Sequence, residues 1–170
     1  MPYFLRAIYN NTKWDKTQFP TWLAEGDLPA CIVRDLRADD NAISLWEIPD
    51  GEDNLAQVVA ALTSTRKILK DNFDYALLDV DHLDQVNFVC SSENGTTPYL
   101  DINSSHRSLS NLSTQKLMYF AHLLSRFGVF RRIGWKELQA LLLDAISNDK
   151  LNLNKVPKEL KQELGIDVTS

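Results

Sequence analysis

Residues 42–80 read AISLWEIPDGEDNLAQVVAALTSTRKILKDNFDYALLDV, and a change of period inside this stretch decides the fold. AISLWEI (42–48) and residues 74–80 are short apolar runs of strand type. Between them Leu55, Val58, Val59, Leu62 and Leu69 fall within about 100° of arc on a helical wheel, so 54–70 reads as an amphipathic helix. Asn54 stands where an N-cap is expected, PDGED (49–53) is a turn, and Asp71-Asn72 ends the helix. Strand, helix and strand with short links make a βαβ unit. If its two strands pair directly, they are parallel.

Outward from this unit, YFLRAIY (3–9) reads as a further strand and PACIVRDLR (29–37) as a short helix carrying Ile32, Val33 and Leu36 on one face. Residues 13–28 read as an irregular connection that packs Trp14, Phe19 and Trp22 inward. Val86–Cys90 and Tyr99–Ile102 flank the turn SSENG, which predicts a hairpin over 86–102. From 113 onward the spacing is helical. One stripe is Leu117, Phe120, Ala121, Leu124 and Phe127; another is Trp135, Leu138, Leu142, Ala145 and Ile146. A third helix runs from Pro157 to Leu164, with proline at its start and Gly165 at its end. The expected fold class is therefore α+β: a small mixed sheet containing a βαβ unit (strands about 3–9, 42–48 and 74–80, with the hairpin 86–102) under a C-terminal three-helix cap. Residues 1–110 form the acidic core and 111–170 the basic helical cap, docked on the core as one unit.

The chain of 170 residues, 44% hydrophobic and 24% charged, is long enough for a core without disulfide or metal staples. Its two cysteines, Cys31 and Cys90, are expected to be reduced and buried. No CxxC pair, GxGxxG, GxxxxGK[ST] or GxSxG occurs, so a zinc ribbon, the common nucleotide loops and a nucleophile elbow are excluded. No apolar run resembles a secretory h-region or a membrane span, and a cytoplasmic location is expected. Nine basic residues face seventeen acidic ones in 1–110, a net of −8; nine face six in 111–170, a net of +3. Such a split either steers a partner or holds the halves together.

Three stretches carry candidate chemistry. In YALLDVDHL (75–83), strand alternation would place Asp79 and Asp81 on one face at a carboxyl strand end, near Glu47, Asp50, Glu52 and Asp53. Hard oxygen ligands of this kind suit Mg²⁺ or Mn²⁺, and a hydrolase or nuclease would use them to activate water. The plainer reading is the solvated end of a strand, or an ion pair between Asp79 and Arg66 on the preceding helix. In LDINSSHRSLSNLS (100–113), His106 is a candidate base, Asp101 its orienting partner and Arg107 an anion holder, against the alternative that these residues build turns and caps. His122, opposite the apolar stripe of its helix, reads as exposed. In RFGVFRRIGWKEL (126–138), whose centre reads as a surface loop between two helices, Arg126, Arg131, Arg132 and Lys136 alternate with aromatics. This pattern suits an acidic protein surface better than nucleic acid, because Glu137 and Asp144 lie on the helix that would read a groove. The leading expectation is a binding or interaction domain of an assembly, with no cofactor and with a protein partner or second copy. The metal-dependent hydrolase and the nucleic-acid binder stand behind it.

Overall fold

The structure is a computed structural model that describes residues 2–9, 11–14, 28–67, 71–84 and 88–166. Its centre is a six-stranded sheet: β1 (Tyr3–Ile8), β2 (Ile43–Ile48), β3 (Phe73–Asp79), β4 (Val89–Ser92), β5 (His106–Ser110) and β6 (Val129–Ile133), in the order β4-β5-β2-β1-β3-β6. The helices are α1 (Ala30–Asp35), α2 (Leu55–Thr63), α3 (Asp81–Asp84), α4 (Thr114–Phe127), α5 (Trp135–Ser147) and α6 (Lys158–Glu163).

Every strand pairing is antiparallel. β2 and β3 run parallel to one another, as the βαβ reading requires, but they do not touch. β1 lies between them, with Tyr3 opposite both Ile48 and Asp79. The unit is thus split, and the N-terminal strand fills the gap that the crossover through α2 leaves open. This placement is a long-range pairing that local pattern does not encode.

The side chains of β1 show how the sheet is covered. Leu5 faces one core, with Val58, Val59 and Ala61 of α2, Leu138 and Leu142 of α5, and Leu160 of α6. Phe4 and Ile8 face the other, with Ile32 of α1 and Phe120, Ala121 and Leu124 of α4. β3 is buried along six of its seven residues because both faces are covered, which accounts for its near-continuous apolar sequence.

The region 114–163 holds the three expected helices, and between the first two it also adds a strand. VFRRI, read from sequence as a basic loop, pairs with β3 as β6. The hairpin over 86–102 is replaced by a longer-range one, in which β4 pairs with β5 and Tyr99 bridges Leu151. Cys31 and Cys90 are exposed rather than buried. His122 is half-buried rather than exposed. Trp14 is buried as expected; Phe19 and Trp22 lie outside the described residues, as do positions 68–70 at the end of the anticipated helix. Asn54 is the N-cap residue of α2, as expected, but its side chain makes no capping bond. Its Nδ2 donates instead to the Glu47 carbonyl at 3.2 Å and to Ser105 Oγ at 3.4 Å.

Candidate functional site

β3 ends at Asp79, so the alternation that would align Asp79 with Asp81 stops one residue too early. Asp79 Oδ1 accepts the Asp81 N–H at 3.0 Å, and this turn starts α3. His82, the next residue of α3, stacks on Phe127 with ring centroids 4.1 Å apart, and its Nδ1 is buried without a partner. Arg66 is not bonded to Asp79. Its guanidinium donates to the Asn72 carbonyl at 3.2 Å and lies 4.8 Å over the Phe73 ring. Burial pushes the Arg66 pKa down, opposed by Asp71 and Asp74. Among the described residues no three His, Cys, Asp or Glu side chains gather as a metal cage.

The second candidate is positioned by β5. His106 pairs with Trp46 across the strands and meets its ring edge-on at 5.2 Å. His106 Nδ1 lies 3.0 Å from the Glu93 carbonyl. A carbonyl only accepts, so Nδ1 carries the proton and the basic lone pair sits on Nε2. Asp101 is not directed at this imidazole; it holds Lys150 Nζ at 3.0 Å on the surface, and this contact raises the lysine pKa. Arg107 spans β2 and the turn before β5. It pairs with Glu47 and donates to the Ser104 carbonyl at 2.8 Å and to Ser92 Oγ at 3.2 Å. The Asp79 and His106 regions do not meet: β2 and β1 lie between their strands, three inter-strand steps or about 14 Å.

In the basic segment the four cations separate into two kinds. Arg131 makes a two-pronged pair with Glu52 at 2.6 and 2.8 Å, and Arg132 makes one with Asp74 at 2.6 and 2.8 Å. The Arg131 guanidinium holds the Glu52 carboxyl below its ordinary range and is itself raised. Arg126 and Lys136 instead lie over the rings of their neighbours, Phe127 at 5.1 Å and Trp135 at 5.9 Å. Arg126 belongs to the last turn of α4 and Lys136 to the first turn of α5, the helices that precede and follow β6 in the chain. Phe127, Val129 and Trp135, at 40, 49 and 43% exposure, lie along the same stretch. β6 is the last strand of the sheet, hydrogen-bonded on one side to β3, and among the described residues no further strand pairs with its other side.

A further constellation was missed from sequence. Arg6 lies on β1 inside the α1/α4 core, 9% exposed, donating Nη1 to the Ser44 carbonyl at 2.8 Å and Nη2 to the Leu36 carbonyl. Its counter-charge is Asp35, 4% exposed, whose Oδ2 accepts Trp14 Nε1–H at 2.8 Å and the Tyr9 N–H at 3.2 Å. Arg6 Nε and Asp35 Oδ1 are both buried without a partner. Burial pushes the Arg6 pKa down to about 10, and the neighbouring Asp35 opposes that fall. An arginine in the middle of the apolar strand YFLRAIY was the available signal. Compared with protein-family models, with curated proteins and with solved structures, the chain finds no match in any of the three.

Proposed function

We propose that this chain is a protein-interaction domain that receives an extended strand of an acidic partner along the open edge of β6. The observation that carries the reading is the composition of that edge. A sheet edge offers a row of backbone donors and acceptors, and native proteins usually cover or blunt it. Here exposed Val129 lies in β6, exposed Phe127 and Trp135 lie on the helix ends just before and after it, and Lys136 follows on α5. Arg131 and Arg132 do not guard it, because each is turned to a carboxylate of a neighbouring element. An added strand would gain main-chain hydrogen bonds from β6, apolar contact from the three exposed side chains, and charge complementarity from Arg126 and Lys136. The candidate catalytic residues, by contrast, are engaged in turns and ion pairs within the fold.

The test is a fluorescence polarisation titration with synthetic peptides of alternating valine and glutamate, beside the same peptides carrying lysine for glutamate. The acidic peptide should bind, the basic one should not, and hydrogen exchange of the β6 amides should slow in the complex. Phe127→Glu together with Val129→Glu should abolish binding. Equal binding of both peptides, or unchanged exchange at β6, would sink the proposal.

A further inference from the structure

Tyr9 follows β1 and is 66% exposed. The Arg37 guanidinium lies 4.3 Å from the ring centroid and the Lys13 ammonium 5.6 Å from it. Arg37 is held there by a turn between α1 and β2 in which Arg37, Asp40 and Asn41 all adopt positive φ, at 46, 46 and 58°. Non-glycine residues adopt this conformation at a cost.

Two open clefts, of about 640 and 560 Å³, share Tyr9 and Arg37 as their common wall. Lys13 and Arg34 line the first, and Asp35, with its buried unpartnered Oδ1, belongs to the same wall. Arg66, Lys67 and Arg132 line the second, beside Asp71 and Asp74. Six cations therefore meet three carboxylates, on a chain whose net charge is −5. Arg132 is committed to Asp74 and Arg66 to a carbonyl and a ring. Among the described residues Lys13, Arg34, Arg37 and Lys67 hold no carboxylate.

We propose that the paired clefts around Tyr9 bind single-stranded nucleic acid, with a base on the Tyr9 ring and the flanking phosphates on the cations of the two sides. The size of each cleft suits one nucleotide. A free nucleotide would fill one cleft and leave the other's cations idle, whereas a strand passing over the dividing ring uses both. A duplex keeps its bases stacked inside and cannot use the ring at all. An exposed aromatic between cation groups is the general device for holding single strands without sequence preference. Of β6 this surface includes Arg132 only, and neither Val129 nor the preceding Phe127 lines it, so it does not depend on peptide binding at those side chains.

The experiment is fluorescence anisotropy of a labelled ten-nucleotide oligothymidylate with the full chain, at 50 and 200 mM KCl. Four phosphates neutralised on a single strand give a salt slope near −2.8, so affinity should fall about 50-fold between the two conditions. Tyr9→Ala should weaken binding by about tenfold or more, the usual loss of one stacked base. Arg34→Glu tests the same surface through a residue outside the core, should the tyrosine variant misfold by circular dichroism. Arg126→Ala with Lys136→Ala should bind as the parent does. No binding at 50 mM KCl would overturn the proposal. So would an abasic oligonucleotide, an acidic peptide or anionic vesicles binding as well as the oligonucleotide with Tyr9→Ala unaffected, since that is a general polyanion surface.

Discussion

Replacing Asp35 tests the buried charge pair that anchors α1 to the sheet. Asp35→Ala removes the acceptor of Trp14 Nε1, a donor on a side chain 2% exposed, and leaves the buried Arg6 guanidinium without its counter-charge. A buried donor stranded in this way costs about 1–3 kcal/mol. The Tyr9 N–H loses its acceptor as well, while Arg6 keeps its bonds to the Ser44 and Leu36 carbonyls, so two stranded donors beside a less compensated charge give an expected total of about 4 kcal/mol. Asp35→Asn retains an oxygen for Trp14 and removes only the charge, so it should cost about half as much. At this chain length 1 kcal/mol moves the melting temperature by about 2–4 °C, so Asp35→Ala should fall by roughly 8–16 °C. Urea unfolding followed by far-ultraviolet circular dichroism reads the free energies without relying on Trp14 emission. In the double variant Arg6→Met/Asp35→Ala the uncompensated charge is gone, and the loss should be smaller than the sum of the two singles by about 1 kcal/mol or more. Strict additivity, or Asp35→Asn unfolding with the parent, would refute the assignment of Asp35 as the counter-charge of Arg6.

Two further outcomes follow from the packing. Glu52 has a folded pKa below its unfolded value because Arg131 bonds the carboxylate. The folded state therefore binds fewer protons, and the contribution is present above the ordinary carboxylate pKa and lost as the pH falls through the depressed one. Thermal melts from pH 6 to pH 3 should show this loss in the parent and not in Glu52→Gln, with a size under about 1 kcal/mol because both partners are solvent-accessible. An identical pH profile for the two proteins would count against the pair. At Gly95, an added Cβ would lie 2.7 Å from the Trp46 ring and 2.8 Å from Asn103 Oδ1. Asn103 is itself fixed by three hydrogen bonds to Thr97 and cannot yield cheaply. Gly95→Ala should therefore lose about 1–3 kcal/mol in chemical denaturation, and an unchanged midpoint would show that this corner is looser than its contacts imply.

The elements legible from sequence were those whose period is local. α2, α4, α5 and α6 announce themselves by apolar spacing, and β2 and β3 by short β-branched and aromatic runs. The elements that were not legible depend on distant partners. VFRRI looked like a loop because two adjacent arginines dominate it. In the structure Glu52 and Asp74 supply the opposite charges, from residues 79 and 58 positions away. β5 looked like a polar connection because HRSLS buries one face only through Leu109, with Arg107 tied to Glu47. The split of the βαβ unit by β1 lay beyond local reading for the same reason. Asp79 and Asp81 illustrate a smaller failure: their shared face depended on the strand continuing, and an Asx turn ended it.

The charge map shows why the candidate nucleic-acid surface escaped attention. Residues 1–110 carry a net of −8, which argues against a polyanion partner when charge is summed by segment. A ligand responds to the potential within about 10 Å, the Debye length at 0.1 M salt, and not to a sum along the chain. Folding pairs several of the acidic residues with arginines internally. Glu47 is taken by Arg107, Glu52 by Arg131 and Asp74 by Arg132, while Asp35 is withdrawn into the core opposite Arg6. What remains at the end of β1 is Tyr9 with Lys13, Arg34, Arg37 and Lys67 around it, all from the segment that looked most acidic. The basic segment 126–136 shows the opposite outcome, since both of its adjacent arginines are neutralised by carboxylates from the other half. Local cation density, once the internal pairs are removed, is therefore the quantity on which the proposed nucleic-acid surface rests, and a sum of charge along the chain hides it.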